Sequence, residues 1–382
     1  MTQDRAVEAV KTSSGWKRND VTARALKVLV VDDSAVVRQT LTAILEQERG
    51  ITVVVAADPI IARGKIVKER PDVIVLDLEM PRMDGLTFLR ELMAVDPIPV
   101  VICSGLTVAG AEHALRAVEE GAVSIVTKPK IAVREFLYES AVTLVDAVKS
   151  AAQARLPVRG TRRFSVSGAT TVLTADAVLP RTPPPAVSQG QDRVIALGAS
   201  AGGTEALRVV LQEFPANAPG TIVVQHMPEV FTAAFAARLN TLCTVQVKEA
   251  EDGDVVRPGL VLIAPGDRHT MLRRVRNRYV VSVADGPLVS RHRPSVDVLF
   301  RSVAQVAGAR ASGAILTGMG DDGAQGLLEM RDAGAFTVAQ DEATCVVFGM
   351  PREAVLRGAA CQVLPLESVA SAVLAGAALT VS

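Results

Sequence analysis

The chain has 382 residues, 49% of them apolar and only 3% aromatic, and its 41 basic side chains are matched by 41 acidic ones. At roughly 150 residues per domain this means about two to three domains, with enough apolar material to exclude a wholly disordered chain. The lack of a basic excess and the shortage of aromatics argue against nucleic-acid binding.

The zero net charge is a sum of unlike parts. Residues 1–24 and 148–191 together hold 11 basic and 4 acidic side chains. Residues 25–147 hold 13 and 18, and residues 192–382 hold 17 and 19. Two acidic blocks are expected, with a basic N-terminal extension (1–24) and a basic connector (148–191). The extension has no long apolar stretch, so neither a signal peptide nor a membrane span is expected there. Cys103, Cys243, Cys345 and Cys361 form no CxxC pair and no close grouping with histidine. No disulfide framework or zinc site is expected, and Cys103, in an apolar run, reads as a buried thiol. The expectation is a cytoplasmic monomer without membrane insertion.

Block 25–147 alternates short apolar strands with helical patterns. Strands are predicted over 27–31, 52–56, 73–77, 99–103 and 123–127, with helices between them, such as 35–48 and 86–95. Such repeated units give a parallel sheet covered on both faces, and ligands bind beyond the carboxyl ends of its strands. Asp32 and Asp33 end the first strand, Asp77 the third and Ser104 the fourth, while Lys128 follows the fifth. Carboxylates that converge repel unless a cation joins them, and an all-oxygen set suits Mg²⁺. A carboxylate beside Mg²⁺ and a lysine ammonium can accept a phosphoryl group, and the Ser104 hydroxyl could then bind the phosphate. The competing reading makes Asp32 and Asp33 simple caps of the next helix.

The stretches VVDDSAVVR, VLDLEMPRMDGLTFL, VVICSGLT and TKP resemble the response-regulator receiver domain, a five-stranded parallel, flavodoxin-like fold. The resemblance implies that Asp77 is the phosphoacceptor. It also implies that Asp33, Asp77 and the backbone carbonyl of Glu79 hold Mg²⁺ with support from Asp32. Ser104 is then the switch hydroxyl and Lys128 the phosphate partner.

Residues 148–191 carry Pro157, Pro180 and the run Pro183-Pro184-Pro185 with little periodicity, a linker composition. Block 192–382 opens with a strand over 194–197, a helix over 205–213 and a strand over 221–225. Hairpin pieces are expected between 245 and 283, then a strand over 313–316, a helix over 324–333 and a strand over 336–339. The reading is α/β, doubly wound, with a hairpin insertion.

Gly198-Ala199-Ser200-Ala201-Gly202 joins the first of these strands to its helix, the G-x-S-x-G spacing that seats a serine on a tight turn. At a helix N-terminus free N–H groups can stabilise an oxyanion, and the serine needs a base. Of the four histidines, His226 ends the neighbouring strand on the same rim. His113 reads as a surface residue, and His269 and His292 in loops are secondary candidates. Asp321 or Asp322, in a Gly-rich turn after a third strand, could orient the imidazole. A dinucleotide site is disfavoured because the glycine spacing is G-x-x-x-G-G and no acid ends the second strand.

The stretches GASAGGTEALRVVL, VVQHMP, HRPSVDVLF, ILTGMGDDGAQGL and VVFGMPREAV closely resemble the catalytic domain of chemotaxis protein-glutamate methylesterases of the CheB type. That resemblance implies Ser200 as nucleophile, His226 as base and Asp322 as orienting acid, with Ala201, Gly202 and Met319 around the oxyanion. The order serine, histidine, acid disfavours an α/β-hydrolase. The sequence departs from common members at Ala201, where threonine often follows the serine. The resemblance implies methylated chemoreceptors as substrates, a chemotaxis histidine kinase as phosphodonor, Mg²⁺ for the receiver and no cofactor for hydrolysis. A catalytically silent receiver-linked scaffold is the alternative. The arginines at 273, 274, 276 and 278 read as a solvated turn or as a dock for an acidic receptor segment.

Overall fold

The computed structural model describes residues 25–81, 83–105, 107–129, 134–156, 172–183 and 193–379. The N-terminal extension 1–24 and parts of the linker, including Pro157 and the Pro184-Pro185 pair, lie outside the described residues.

The N-terminal unit runs β1 (Leu26–Val31), α1 (Ala35–Glu46), β2 (Ile51–Ala56), α2 (Pro59–Lys68), β3 (Val73–Leu76) and α3 (Gly85–Val95), then β4 (Val100–Ser104), α4 (Val108–Glu119), β5 (Ser124–Thr127) and α5 (Arg134–Gln153). Its five strands pair in parallel in the order β2-β1-β3-β4-β5, the flavodoxin-like order. Val73 to Leu76 and Val100 to Ile102 are wholly buried, as strands covered on both faces must be. Cys103 is buried in this core as expected, and burial pushes its thiol up to about 12.

The C-terminal unit runs β6 (Val194–Ala199), α6 (Gly203–Gln212), β7 (Gly220–Gln225), α7 (Glu229–Leu242), β8 (Gln246–Glu249) and β9 (Leu260–Ile263). It continues through β10 (His269–Val275), β11 (Arg278–Ala284), α8 (Val296–Val306), β12 (Ala311–Ile315), α9 (Ala324–Asp332), β13 (Phe336–Gln340), α10 (Met350–Leu356), β14 (Gln362–Leu364) and α11 (Leu366–Leu379). Seven strands form one parallel sheet in the order β14-β13-β12-β6-β7-β9-β8. This corrects one expectation. Of the pieces between 245 and 283, only β10 and β11 form an antiparallel hairpin, while β8 and β9 extend the main sheet. The reason is burial: Leu260 to Ile263 have no polar face to show to water, so β9 needs cover on both sides.

The expected linker is partly built into both units. Helix α5 continues past residue 147 to Gln153. Further on, Arg301, with a side chain only 1% exposed, ties the 172–183 segment to α8 and α9. Its guanidinium grips Glu329 through two bonds of 2.8 Å and donates to Asp176 Oδ1 at 2.8 Å and to the Leu179 carbonyl at 3.0 Å. Removing one partner of a buried ion pair strands the other charge. Arg301→Met should therefore destabilise the chain by about 3 kcal/mol, read as a lower denaturation midpoint; an unchanged midpoint would contradict this.

The two units touch. Helix α4 lies against α7, and Arg238 pairs with Glu119 at 3.0 Å. Arg155 pairs with Glu342, and its amide donates to the Val346 carbonyl at 2.8 Å.

Candidate active site

Ser200 follows the last residue of β6, where the chain turns sharply into α6. Its amide donates to the Thr317 carbonyl at 3.0 Å, and its carbonyl accepts from Gly203 N at 2.8 Å and Gln225 Nε2 at 2.9 Å. The turn needs Gly202, whose φ is +74° and whose missing Cβ would lie 2.6 Å from Val346 Cβ. Gly318 leaves room for the serine from the other side, since a Cβ there would lie 2.7 Å from Ser200 Cβ. Ser200, Ala201, His226 and Met319 all line one cavity of about 300 Å³.

His226 directly follows β7, next to this turn, and its amide donates to the Ala199 carbonyl at 3.1 Å. Its Nε2 stands 2.8 Å from Asp322 Oδ2. An ionised carboxylate only accepts, so the imidazole proton sits on Nε2 and donates to Asp322. Nδ1 is buried without a hydrogen-bond partner and carries the free lone pair. The available basic atom is therefore Nδ1, a detail that sequence cannot show.

The structure also separates the two neighbouring aspartates. Asp321 is exposed and pairs with Arg357 at 3.0 Å. Asp322 is buried, and four donors surround it: His226 Nε2, Ser295 Oγ at 2.7 Å, Val296 N at 2.7 Å and Asp297 N at 3.1 Å. Two of these are free amides at the start of α8, where an anion is favoured. Burial alone would raise the Asp322 carboxyl; the bond and charge of His226, with those of its other neighbours, hold it below the ordinary carboxylate value. Asp297 goes the other way. Burial and then the charge of Asp322 push it up to about 8, which concentrates the negative charge on Asp322.

His292, only a secondary candidate by sequence, is the residue that sequence reasoning undervalued. Its ring stacks on His226 with centroids 3.7 Å apart and planes 7° from parallel. Its Nδ1–H donates to the Ser290 carbonyl at 2.7 Å. Burial, and then the neighbouring His226, lower its pKa to about 3, so it packs as a neutral ring. The signal available in sequence was the HRPSVD stretch that leads into α8. His269 has a structural place: Nε2–H donates to the Pro287 carbonyl at 2.9 Å and Nδ1 accepts from Ser295 N at 3.3 Å. The four arginines lie at the hairpin tip of β10 and β11, the end away from His269.

Of the expected oxyanion group, Gly202 is differently engaged. Its amide donates at 3.1 Å to the carbonyl of Val123, just before β5 of the N-terminal unit. The amides of Ala201 and Met319 donate to no backbone carbonyl among the described residues. The cavity is walled on one side by β5 and α5, including Ser124, Thr143 and Asp146.

A second rim lies on the N-terminal sheet. Carboxylate oxygens of Asp32, Asp33 and Asp77 all lie within 4.8 Å of one another. Lys128 Nζ stands 2.7 Å from Asp77 and 2.9 Å from Asp32. Burial raises the Asp77 carboxyl despite the pull of Lys128, and Asp32 adds to the rise. Ser104 Oγ is buried without a partner, and Glu79 N donates to Asp77 Oδ1 at 3.2 Å. The cap of α1 is Ser34, whose side chain accepts from Val37 N, so the aspartates are not needed for capping. Three converging carboxylates with a lysine on one side fit a small hard dication.

Residues 195–373 match the family described as CheB methylesterase, and residues 28–137 match the response regulator receiver domain. Protein-glutamate methylesterase/protein-glutamine glutaminase 5 of Anaeromyxobacter dehalogenans is 62% identical over 91% of this chain and 95% of its own length. A second such protein, from Rhizobium johnstonii, is 58% identical over 92% of this chain and 98% of its own. The solved catalytic domain of Thermotoga maritima CheB methylesterase has 36% identity and a TM-score of 0.47, covering 48% of this chain and 98% of that one.

Proposed function

The chain belongs to the CheB methylesterase family, and from that premise we propose that it is a phosphorylation-activated hydrolase removing methyl groups from glutamate γ-methyl esters of chemoreceptors. The observation that carries the reading is the bond from His226 Nε2 to Asp322, with Nδ1 unpartnered in the cavity that Ser200 also lines. Ser200 Oγ attacks the ester carbonyl while His226 Nδ1 takes its proton. The amides of Ala201 and Met319, which donate to no backbone carbonyl among the described residues, are left to bind the developing oxyanion. Asp322 stabilises the charged imidazole, which returns its proton to the departing methanol. Water, activated by the same nitrogen, releases glutamate. A receptor glutamine follows the same route with ammonia as the leaving group.

Asp77 is the phosphoacceptor in this reading, supplied by a chemotaxis histidine kinase. Asp32, Asp33, Asp77 and the Glu79 carbonyl would hold Mg²⁺, which when bound offsets the negative charge of the carboxylates and the incoming phosphoryl oxygens. Lys128 and the hydroxyl of Ser104 bind the phosphoryl group in this reading, which the 2.7 Å contact of Lys128 with Asp77 and the unpartnered Ser104 Oγ support. No described helix is long and apolar enough to cross a membrane.

In the arrangement described, the N-terminal unit forms one wall of the cavity and Val123 occupies the Gly202 amide, which supports a lid role. Phosphorylation of Asp77 shifts the equilibrium toward an uncovered state. Asp77→Asn should abolish the rise in methanol release produced by a small phosphodonor while leaving a basal rate. A preserved rise would overturn the assignment of Asp77.

His292 acts in this reading by packing. His292→Ala should lower kcat by about tenfold through loosening of His226, and His292→Phe, which keeps a ring face, should lose less. Equal kcat in wild type and the alanine variant would contradict it.

A further inference from the structure

Two arginines stand on the wall of the Ser200 cavity, and they are paired differently. Arg293 is bound inside its own unit: it holds Asp267 Oδ1 at 2.6 and 3.0 Å and donates to the Gly286 carbonyl at 2.8 Å. Arg291 reaches across to the other unit, where its Nη1 stands 3.3 Å from Asp146 on α5. Asp146 lines the same cavity as Ser200 and His226. Burial raises its carboxyl, against the pull of Arg291.

The backbone that presents Arg291 is strained. Val289 and His292 exchange two backbone bonds of 3.1 and 2.8 Å, which closes a tight turn around Ser290 and Arg291. Both central residues have positive φ, +48° and +68°. Turns of that kind favour glycine, asparagine or aspartate, and other residues persist there only when the surroundings over-determine them. Here Ser290 N donates to the Leu173 carbonyl at 2.9 Å and Ser290 Oγ approaches Asp297 Oδ2 at 3.3 Å. The next residue is His292, stacked on His226. The fold thus spends backbone strain to fix an arginine one residue from the catalytic stack.

We propose that Arg291 determines substrate specificity by binding a carboxylate of the receptor helix beside the reacting ester, and that Asp146 fills this carboxylate site while the units are closed. The present occupant states the chemistry, since it is a carboxylate carried on a helix in the wall of the cavity. The guanidinium is well suited to that group. When α5 moves away, Arg293 keeps its partner but Arg291 loses its own. The half-exposed Arg291 then faces the entering substrate as an unpaired cation. An acidic helix takes the place of α5, so the same arginine serves closure and recognition.

This rests on the esterase reading above. The test uses the full chain, activated with a small phosphodonor, on membranes bearing methylated receptors. Arg291→Asn is the neutral variant, because asparagine tolerates the left-handed backbone. It should raise KM about tenfold with kcat within about twofold, and it should flatten the dependence of KM on salt. Arg291→Lys should recover part of the KM. Asp146→Asn should raise the rate without phosphodonor several-fold and leave the activated KM unchanged. An unchanged KM in Arg291→Asn, with the same denaturation midpoint as wild type, overturns the recognition role. An unchanged basal rate in Asp146→Asn overturns the stand-in role. Failure of the underlying reading looks different: the wild-type chain would then release no methanol, or Ser200→Ala would release it at the wild-type rate.

Discussion

Ser200→Ala is expected to lower methanol release by at least about 10³-fold while leaving the fold intact. The size follows from the role. Removing the nucleophile of a serine–histidine–acid unit leaves only what the oxyanion donors and substrate binding contribute. The intact fold follows from the geometry. The hydrogen bonds that fix the turn use the backbone of Ser200: its amide to Thr317, and its carbonyl to Gly203 and Gln225. Alanine keeps all of them, so the denaturation midpoint should move by no more than an exposed substitution moves it, about 0.5 kcal/mol. Phosphorylation of Asp77 should be unaffected. Methanol release near the wild-type rate would remove Ser200 from the mechanism.

Asp322→Asn should lower kcat by about 10³- to 10⁴-fold and also destabilise the chain by about 2–4 kcal/mol. Both effects come from the four donors that converge on the two carboxylate oxygens. An asparagine supplies one oxygen and turns an NH₂ group toward donors. Some of those donors are left unsatisfied in a buried place, and the imidazole loses the charge that fixes its proton on Nε2. The pH dependence has a definite sign. The folded state holds Asp322 below its ordinary value, so its contribution is fully present above the unfolded pKa near 3.8. It is lost as pH falls through the lower folded value. Below that unfolded pKa the stability gap between wild type and Asp322→Asn should therefore close as the pH falls. A gap that widened on acidification would contradict the charged-carboxylate account.

The rims were legible in the sequence because of how parallel sheets are built. A short apolar run that stops at a polar residue marks a strand's carboxyl end, and all such ends in one sheet face the same way. Asp32, Asp77, Ser104, Ser200 and His226 could each be placed by that rule, and so could the turn that carries Asp321 and Asp322. What sequence left open was decided by contacts between distant segments. Asp321 and Asp322 are adjacent and alike. Only the packing of α8 against the turn sends one of them to His226 and the other to Arg357. His292 sits in a loop without periodicity, and the HRPSVD stretch marks it without showing that its ring meets His226. The bond from Gly202 to Val123 joins two separate units and has no sequence signature. β8 and β9 were misassigned for a related reason, since short strands reveal their direction only through the partners they find in the sheet.

The central claim is that a phosphorylation site on one sheet governs a serine esterase on the other. Methanol release by the full chain from methylated receptor membranes, with and without a small phosphodonor and Mg²⁺, tests it most directly. The account predicts a slow basal rate that rises about 5- to 150-fold on phosphorylation, the range that a coupling of ordinary size supplies. A rate that is already high and indifferent to the phosphodonor, or no methanol under either condition, would contradict it.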